Sequence, residues 1–130
     1  MLQFNTLARY TRVKVIIPHA GGYVPYQAER IARSGPGGAA DGPQRMAQLK
    51  CLYFDTAMSG NMYPLPGLMA FTDGQNVTFG SDLPFAPNGS TKLTVNSLND
   101  FFAADPMTLW RIRRGNTLNL IPKAPTPAYS

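Results

Sequence analysis

Val13-Lys14-Val15-Ile16-Ile17-Pro18-His19-Ala20-Gly21-Gly22 is the stretch whose reading decides the fold. Val13, Val15, Ile16 and Ile17 are β-branched, which crowds a helix but suits a pleated surface. The run is compact rather than alternating, and this predicts a strand buried on both faces, as in parallel sheets. Pro18 closes it, Gly21-Gly22 turns the chain, and Pro25 stands where the first turn of a helix tolerates proline. Tyr26–Arg33 continues that helix.

Outward from this unit the pattern restarts twice. Residues 34–43, rich in Gly and Pro, form a flexible break. Leu49–Phe54 is a second apolar run ending at Asp55, followed by a turn at Ser59-Gly60-Asn61 and a short helix over Leu65–Phe71 that Asp73-Gly74 closes. Val77–Gly80 is a third strand, ending at Ser81-Asp82. After a Pro84–Gly89 loop, Leu93–Phe102 and Pro106–Arg114 read as helices. Asp105 is the N-cap of the second, Pro106 its first residue and Gly115 its stop signal. Three strand–loop–helix units predict an α/β fold with parallel strands covered by helices and right-handed crossovers. The prolines from Pro122 onward predict an extended tail.

The composition narrows the function. The chain has 130 residues, well below the ~250 of a complete (β/α)₈ barrel. Apolar residues make up 44%, enough for a packed core, while charged residues make up only 15%, against a typical ~25%. That shortage suits surfaces built to face something other than water. The net charge of +5 arises from few acids rather than many bases. Its densest run is Arg111, Arg113 and Arg114, with no interleaved aromatic platform, so a solvated basic surface is expected and no nucleic-acid partner. The single cysteine excludes an internal disulfide framework and a Cys-rich zinc module, and its setting in Leu49–Phe54 predicts an inert, buried thiol. No stretch approaches the ~20 apolar residues of a membrane span, and no signal-peptide core is present. A soluble, reducing, cytoplasmic setting without a membrane partner is expected.

In parallel α/β folds, chemistry gathers where loops leave the carboxyl ends of strands. This sequence places His19, Asp55 and Asp82 at its three strand ends. Imidazole and carboxylates serve as metal ligands and as general acids or bases. Each alone has a plainer reading, since a His after a strand is often structural and an Asp often caps a turn.

The same residues resemble a known family. His19-Ala-Gly-Gly-Tyr-Val-Pro25, followed by Tyr26-Gln-Ala-Glu-Arg30-Ile31, resembles the sixth-strand segment of amidohydrolase-related decarboxylases, the aminocarboxymuconate-semialdehyde, γ-resorcylate and 6-methylsalicylate enzymes among them. Leu52–Ala57 is similar to their seventh strand, Val77–Phe85 to their eighth, and Arg114-Gly-Asn116-Thr-Leu118 to their closing helix. Residues 10–123 follow the family's order and spacing. The resemblance implies the C-terminal portion of a TIM-type barrel, about β6–β8 with its helices. A partial-barrel domain over 1–123, with 34–43 as an insert and 124–130 as tail, is expected.

The resemblance also implies roles. Asp82 matches the aspartate that ligates a divalent metal, usually zinc, and in some members moves a proton. His19 matches the histidine that handles the metal-bound water and polarises the substrate. Phe85 matches an aromatic lining the pocket, and Asp55 lines it too. Arg30 matches an arginine that grips a substrate carboxylate from a neighbouring subunit, so a homo-oligomer is implied, and a planar guanidinium suits that task. The implied activity is decarboxylation of a small aromatic or muconate-type carboxylic acid. Hydrolysis of a lactone or amide by the same apparatus, and a non-enzymatic binding role for a partial barrel, are the alternatives. The departure is the family's His-x-His strand and a further His ligand, for which this chain's one histidine cannot serve. A catalytic zinc takes about three protein ligands, so the chain by itself is expected to be inactive.

Overall fold

The computed structural model describes residues 6–35 and 37–121. Three short parallel strands, β1 (Ile16–Ile17), β2 (Tyr53–Asp55) and β3 (Val77–Thr78), lie in the order β1-β2-β3. Ile16 is in register with Tyr53, and Phe54 with Val77. Helices α1 (Thr6–Arg9), α2 (Tyr23–Tyr26), α3 (Ala28–Arg33), α4 (Gly42–Lys50), α5 (Leu65–Thr72), α6 (Ser90–Phe101), α7 (Pro106–Trp110) and α8 (Asn116–Leu120) surround them. The parallel α/β architecture is the one expected from the sequence.

The core is the covered side of this sheet. Phe54, Leu65, Leu68, Val77, Leu98 and Ile112 are fully buried, and each such side chain contributes about 1.5–3 kcal/mol by leaving water. Phe54 meets Phe71 edge to face, with centroids 5.9 Å apart, the arrangement that ring quadrupoles favour.

Several local expectations are corrected. Val13 is 61% exposed and Ile16 43%, so the first strand is not buried on both faces. The reason is its place at the sheet edge. The Tyr53 N–H donates to the Val15 carbonyl at 2.9 Å, and backbone groups alternate sides along a strand. The N–H and C=O of Ile16 therefore point away from β2. Cys51 is exposed, not buried, because α4 runs to Lys50 and Cys51 caps it. Only Tyr53–Asp55 of the apolar run becomes strand, since a short apolar run fits a helix end as well as a strand. Within residues 34–43, α4 already begins at Gly42, and the buried Arg45 guanidinium donates to the Ala32 carbonyl and pairs with Asp41 at 3.3 Å.

Gly115 does not stop the last helix. Arg111–Gly115 forms a π-helical turn and α8 follows directly. The glycine is needed for space, because a Cβ there would lie 2.6 Å from the Trp110 ring. Asp105 caps α7 as expected, its side chain accepting from the Thr108 N–H at 3.0 Å.

This closing segment covers the outer edge of β3. Phe54 N–H bonds to the Asn76 carbonyl and Thr56 N–H to the Thr78 carbonyl, so Val77 and Phe79 present their backbone groups outward. Phe79 N–H donates to the Ile112 carbonyl at 2.8 Å. The buried Asn116 amide donates to the carbonyls of Val77 at 2.6 Å and Gly74 at 2.8 Å. One sheet edge is thus satisfied by a helix and a side chain, while among the described residues no strand pairs with the other.

Candidate active site

At the carboxyl ends of the strands the backbone leaves ordinary conformations. His19, Ala20, Gly21 and Gly22 all have positive φ, between 53° and 78°. Met58 follows β2 with φ 49°, and Asp82 follows β3 with φ 61°. Left-handed backbone costs a residue with a Cβ roughly 1–2 kcal/mol, and such strain persists only where surroundings hold it. For the first loop those surroundings are visible. A Cβ on Gly21 would sit 2.6 Å from the Phe54 ring, so the turn is pressed directly onto the core.

Asp55 ties the first two loops together. Its Oδ1 accepts from the His19 N–H at 2.9 Å and the Ala57 N–H at 3.0 Å. The Ala57 carbonyl in turn lies 2.9 Å from His19 Nδ1. The third loop passes under this pair: the Gly80 N–H donates to the buried Thr56 hydroxyl at 3.2 Å, and a Cβ on Gly80 would be 2.9 Å from the Asp55 carboxyl carbon. Thr56, Ala57 and Gly80 stand in the sequence only as members of strand-like and resembling stretches, with no role assigned to them. A glycine inside a strand-like run, as at Gly80, is the one local signal of close backbone approach.

His19 itself is exposed. Asp82 is half-buried in a turn whose carbonyl accepts from the Ala86 N–H at 2.7 Å, with a cis Leu83–Pro84 peptide inside it. That turn leaves Phe85 88% exposed. Arg30 lies on the exposed face of α3. Among the described residues, His19 and Asp55 are joined by a hydrogen bond; none links Arg30, Phe85 or the Asp82 side chain to them. A metal was the expected cofactor. Among the described residues no three His, Cys, Asp or Glu side chains gather in a way that could hold one, so the chain's own residues do not fit a metal centre. No helix among them is long and apolar enough to cross a membrane.

Parallel strands joined through helices, with polar residues at their carboxyl ends, are the arrangement found in part of a TIM-type barrel. The crystal structure of an amidohydrolase II superposes on 92% of this chain with a TM-score of 0.71 and 26% identity, the chain covering 39% of it. A dihydroxybenzoic acid decarboxylase from Polaromonas sp. JS666 gives a TM-score of 0.73 over 92% of the chain and 36% of its own length, at 18% identity.

In sequence the chain is related to fungal decarboxylases. It is 30% identical over 134 residues to decarboxylase yanB of Aspergillus niger, and 31% over 129 residues to the 6-methylsalicylic acid decarboxylase of Penicillium expansum. These alignments take in 98% and 95% of this chain but only 36% and 39% of the relatives. The chain therefore spans little more than a third of the length of the curated relatives it matches. No family model matches it.

Proposed function

We propose that this chain is the closing portion, about β6–β8, of an amidohydrolase-type decarboxylase barrel acting on a small aromatic or muconate-type carboxylic acid. The observation that carries this reading is identity of 30–31% to decarboxylases along nearly the whole chain. In the reaction the bond to the carboxylate breaks, CO₂ departs, and the electron pair left on carbon takes a proton. His19, held at a strand end with its ring facing solvent, is the residue suited to move that proton. In this reading Asp82 is the second acid–base group, and Phe85 and Asp55 line the substrate pocket. Arg30 is free on α3 to grip a carboxylate, including that of a substrate bound to a neighbouring copy of the chain.

The Polaromonas neighbour holds manganese, which supports a divalent metal, zinc or another, for the complete barrel. Toward it this chain offers Asp82. By itself the chain is expected to bind no stoichiometric metal and to release no CO₂ from 6-methylsalicylate or dihydroxybenzoates. Elemental analysis and a CO₂-release assay check this, and metal with turnover would overturn the expected inactivity. The activity is tested in a chimera, with the matched segment of the Penicillium expansum enzyme replaced by this chain. Decarboxylation that disappears with His19→Ala supports the reading; a folded chimera that cleaves lactones but leaves the aromatic acids intact refutes it.

A further inference from the structure

We infer that Asp55 is a positioning residue that fixes the tautomer of His19. The Ala57 carbonyl can only accept, so the ring nitrogen 2.9 Å from it, Nδ1, must carry the hydrogen. In the neutral ring this leaves Nε2 unprotonated, and among the described residues Nε2 has no partner. A free histidine favours the opposite tautomer, with the hydrogen on Nε2. The geometry therefore selects the less common form and turns a bare, basic nitrogen outward.

Asp55 governs both ends of that contact. One oxygen, Oδ1, holds the His19 backbone N–H at 2.9 Å and the Ala57 N–H at 3.0 Å. The first bond holds His19 in its left-handed conformation, φ 56°. The second orients the Ala57 residue whose carbonyl meets the ring. Gly80 has no Cβ to push the carboxyl aside, since one would stand 2.9 Å from its carbon. Without Asp55 the carbonyl and the ring lose their common anchor, and the tautomer should relax toward that of free histidine. A hydrogen bond of ordinary net strength biases such an equilibrium about five-fold. The proton-accepting role of Nε2 rests on the decarboxylase reading above; the tautomer itself does not.

The chain has one histidine, so its ring nitrogens are read without assignment ambiguity. Multiple-bond ¹H–¹⁵N spectra of the ¹⁵N-labelled chain, recorded about two pH units above the ordinary histidine pKa of ~6.5, report which nitrogen carries the hydrogen. The expected result is Nδ1–H in the wild type. Asp55→Asn, whose side-chain oxygen still accepts, should keep that form, whereas Asp55→Ala should shift it about five-fold toward Nε2–H. Should Asp55→Ala not fold, exchange of the His19 and Ala57 amides in the wild type decides. Protection of both supports the clamp, and free exchange of the exposed His19 amide overturns it. A wild-type ring protonated on Nε2, or a folded Asp55→Ala with an unchanged tautomer, also overturns it. Either result leaves the decarboxylase reading standing, and an inactive chimera would leave the tautomer result standing.

Discussion

Replacing Asn116 with alanine should open the covered edge of β3. The side-chain amide has two hydrogens and uses both, on the Val77 carbonyl at 2.6 Å and the Gly74 carbonyl at 2.8 Å. Asn116 is 4% exposed and Val77 fully buried, so water does not readily replace the lost donors. Each hydrogen bond is worth about 1 kcal/mol net, and a buried acceptor left unpaired costs about 1–3 kcal/mol. A loss of roughly 2–4 kcal/mol follows, a large part of the ~5–15 kcal/mol that stabilises an ordinary domain. Urea denaturation followed by circular dichroism should register it as a midpoint lowered by about 1–2 M, given slopes of ~1–3 kcal/mol/M. Asn116→Asp keeps the shape but has no donor, and sets a carboxylate against two carbonyls. It should be at least as damaging. An Asn116→Ala cost under about 1 kcal/mol, or an Asn116→Asp variant as stable as wild type, would refute the claim that this amide seals the edge.

Two further expectations follow from backbone and charge. Gly21→Ala and Gly22→Ala both place a Cβ on left-handed backbone, at φ 78° and 53°, but only the first meets the Phe54 ring, at 2.6 Å, while the second meets nothing within 4 Å. Thermal melts should find Gly21→Ala worse than Gly22→Ala by about 1–3 kcal/mol; equal costs would mean that the core does not hold the turn. At Asp105, hydrogen bonding from Thr108 holds the carboxyl below its ordinary value of 3.8. A carboxylate with a lowered folded-state pKa adds stability above its unfolded pKa and loses it as pH falls through the folded value. The Tm difference between wild type and Asp105→Asn should therefore be steady above about pH 5 and shrink below about pH 4. A difference constant from pH 2 to 6 would contradict the capping geometry.

The sequence made the order of the three strands and most of the helices after them legible, along with the three polar strand ends, because Pro and Gly punctuation and apolar runs are local signals. The helix α4 over Gly42–Lys50 was not among them. The extent of the strands was not local. Val13–Ile17 looks like five residues of strand, yet only Ile16–Ile17 pairs, because a ladder depends on what lies alongside. Leu49–Phe54 divides between the end of α4 and β2, a boundary that apolar character alone cannot place. Gly115 carried the mark of a helix stop, while its actual constraint is the ring of Trp110. At the site, His19 and Asp55 were chosen for their chemistry and do meet. The form of that meeting was invisible, since it runs through backbone amides and the Ala57 carbonyl, which any sequence would supply. Asn116 was seen only as part of a resembling stretch; its two carbonyl partners lie about forty residues away.

The side of β1 on which no strand pairs among the described residues bears on handling as much as on fold. An unpaired strand edge is a template on which a second chain can grow. Here the template is only two residues long and stops at Pro18, which has no N–H to offer an incoming ladder. Arg12 and Lys14, both exposed, stand just before it and repel a copy of themselves. Salt screens that repulsion, with a Debye length near 10 Å at 0.1 M and near 3 Å at 1 M. Concentrated preparations should accordingly stay dispersed in dilute buffer and self-associate as salt is raised, the reverse of what an assembly held by opposite charges would do.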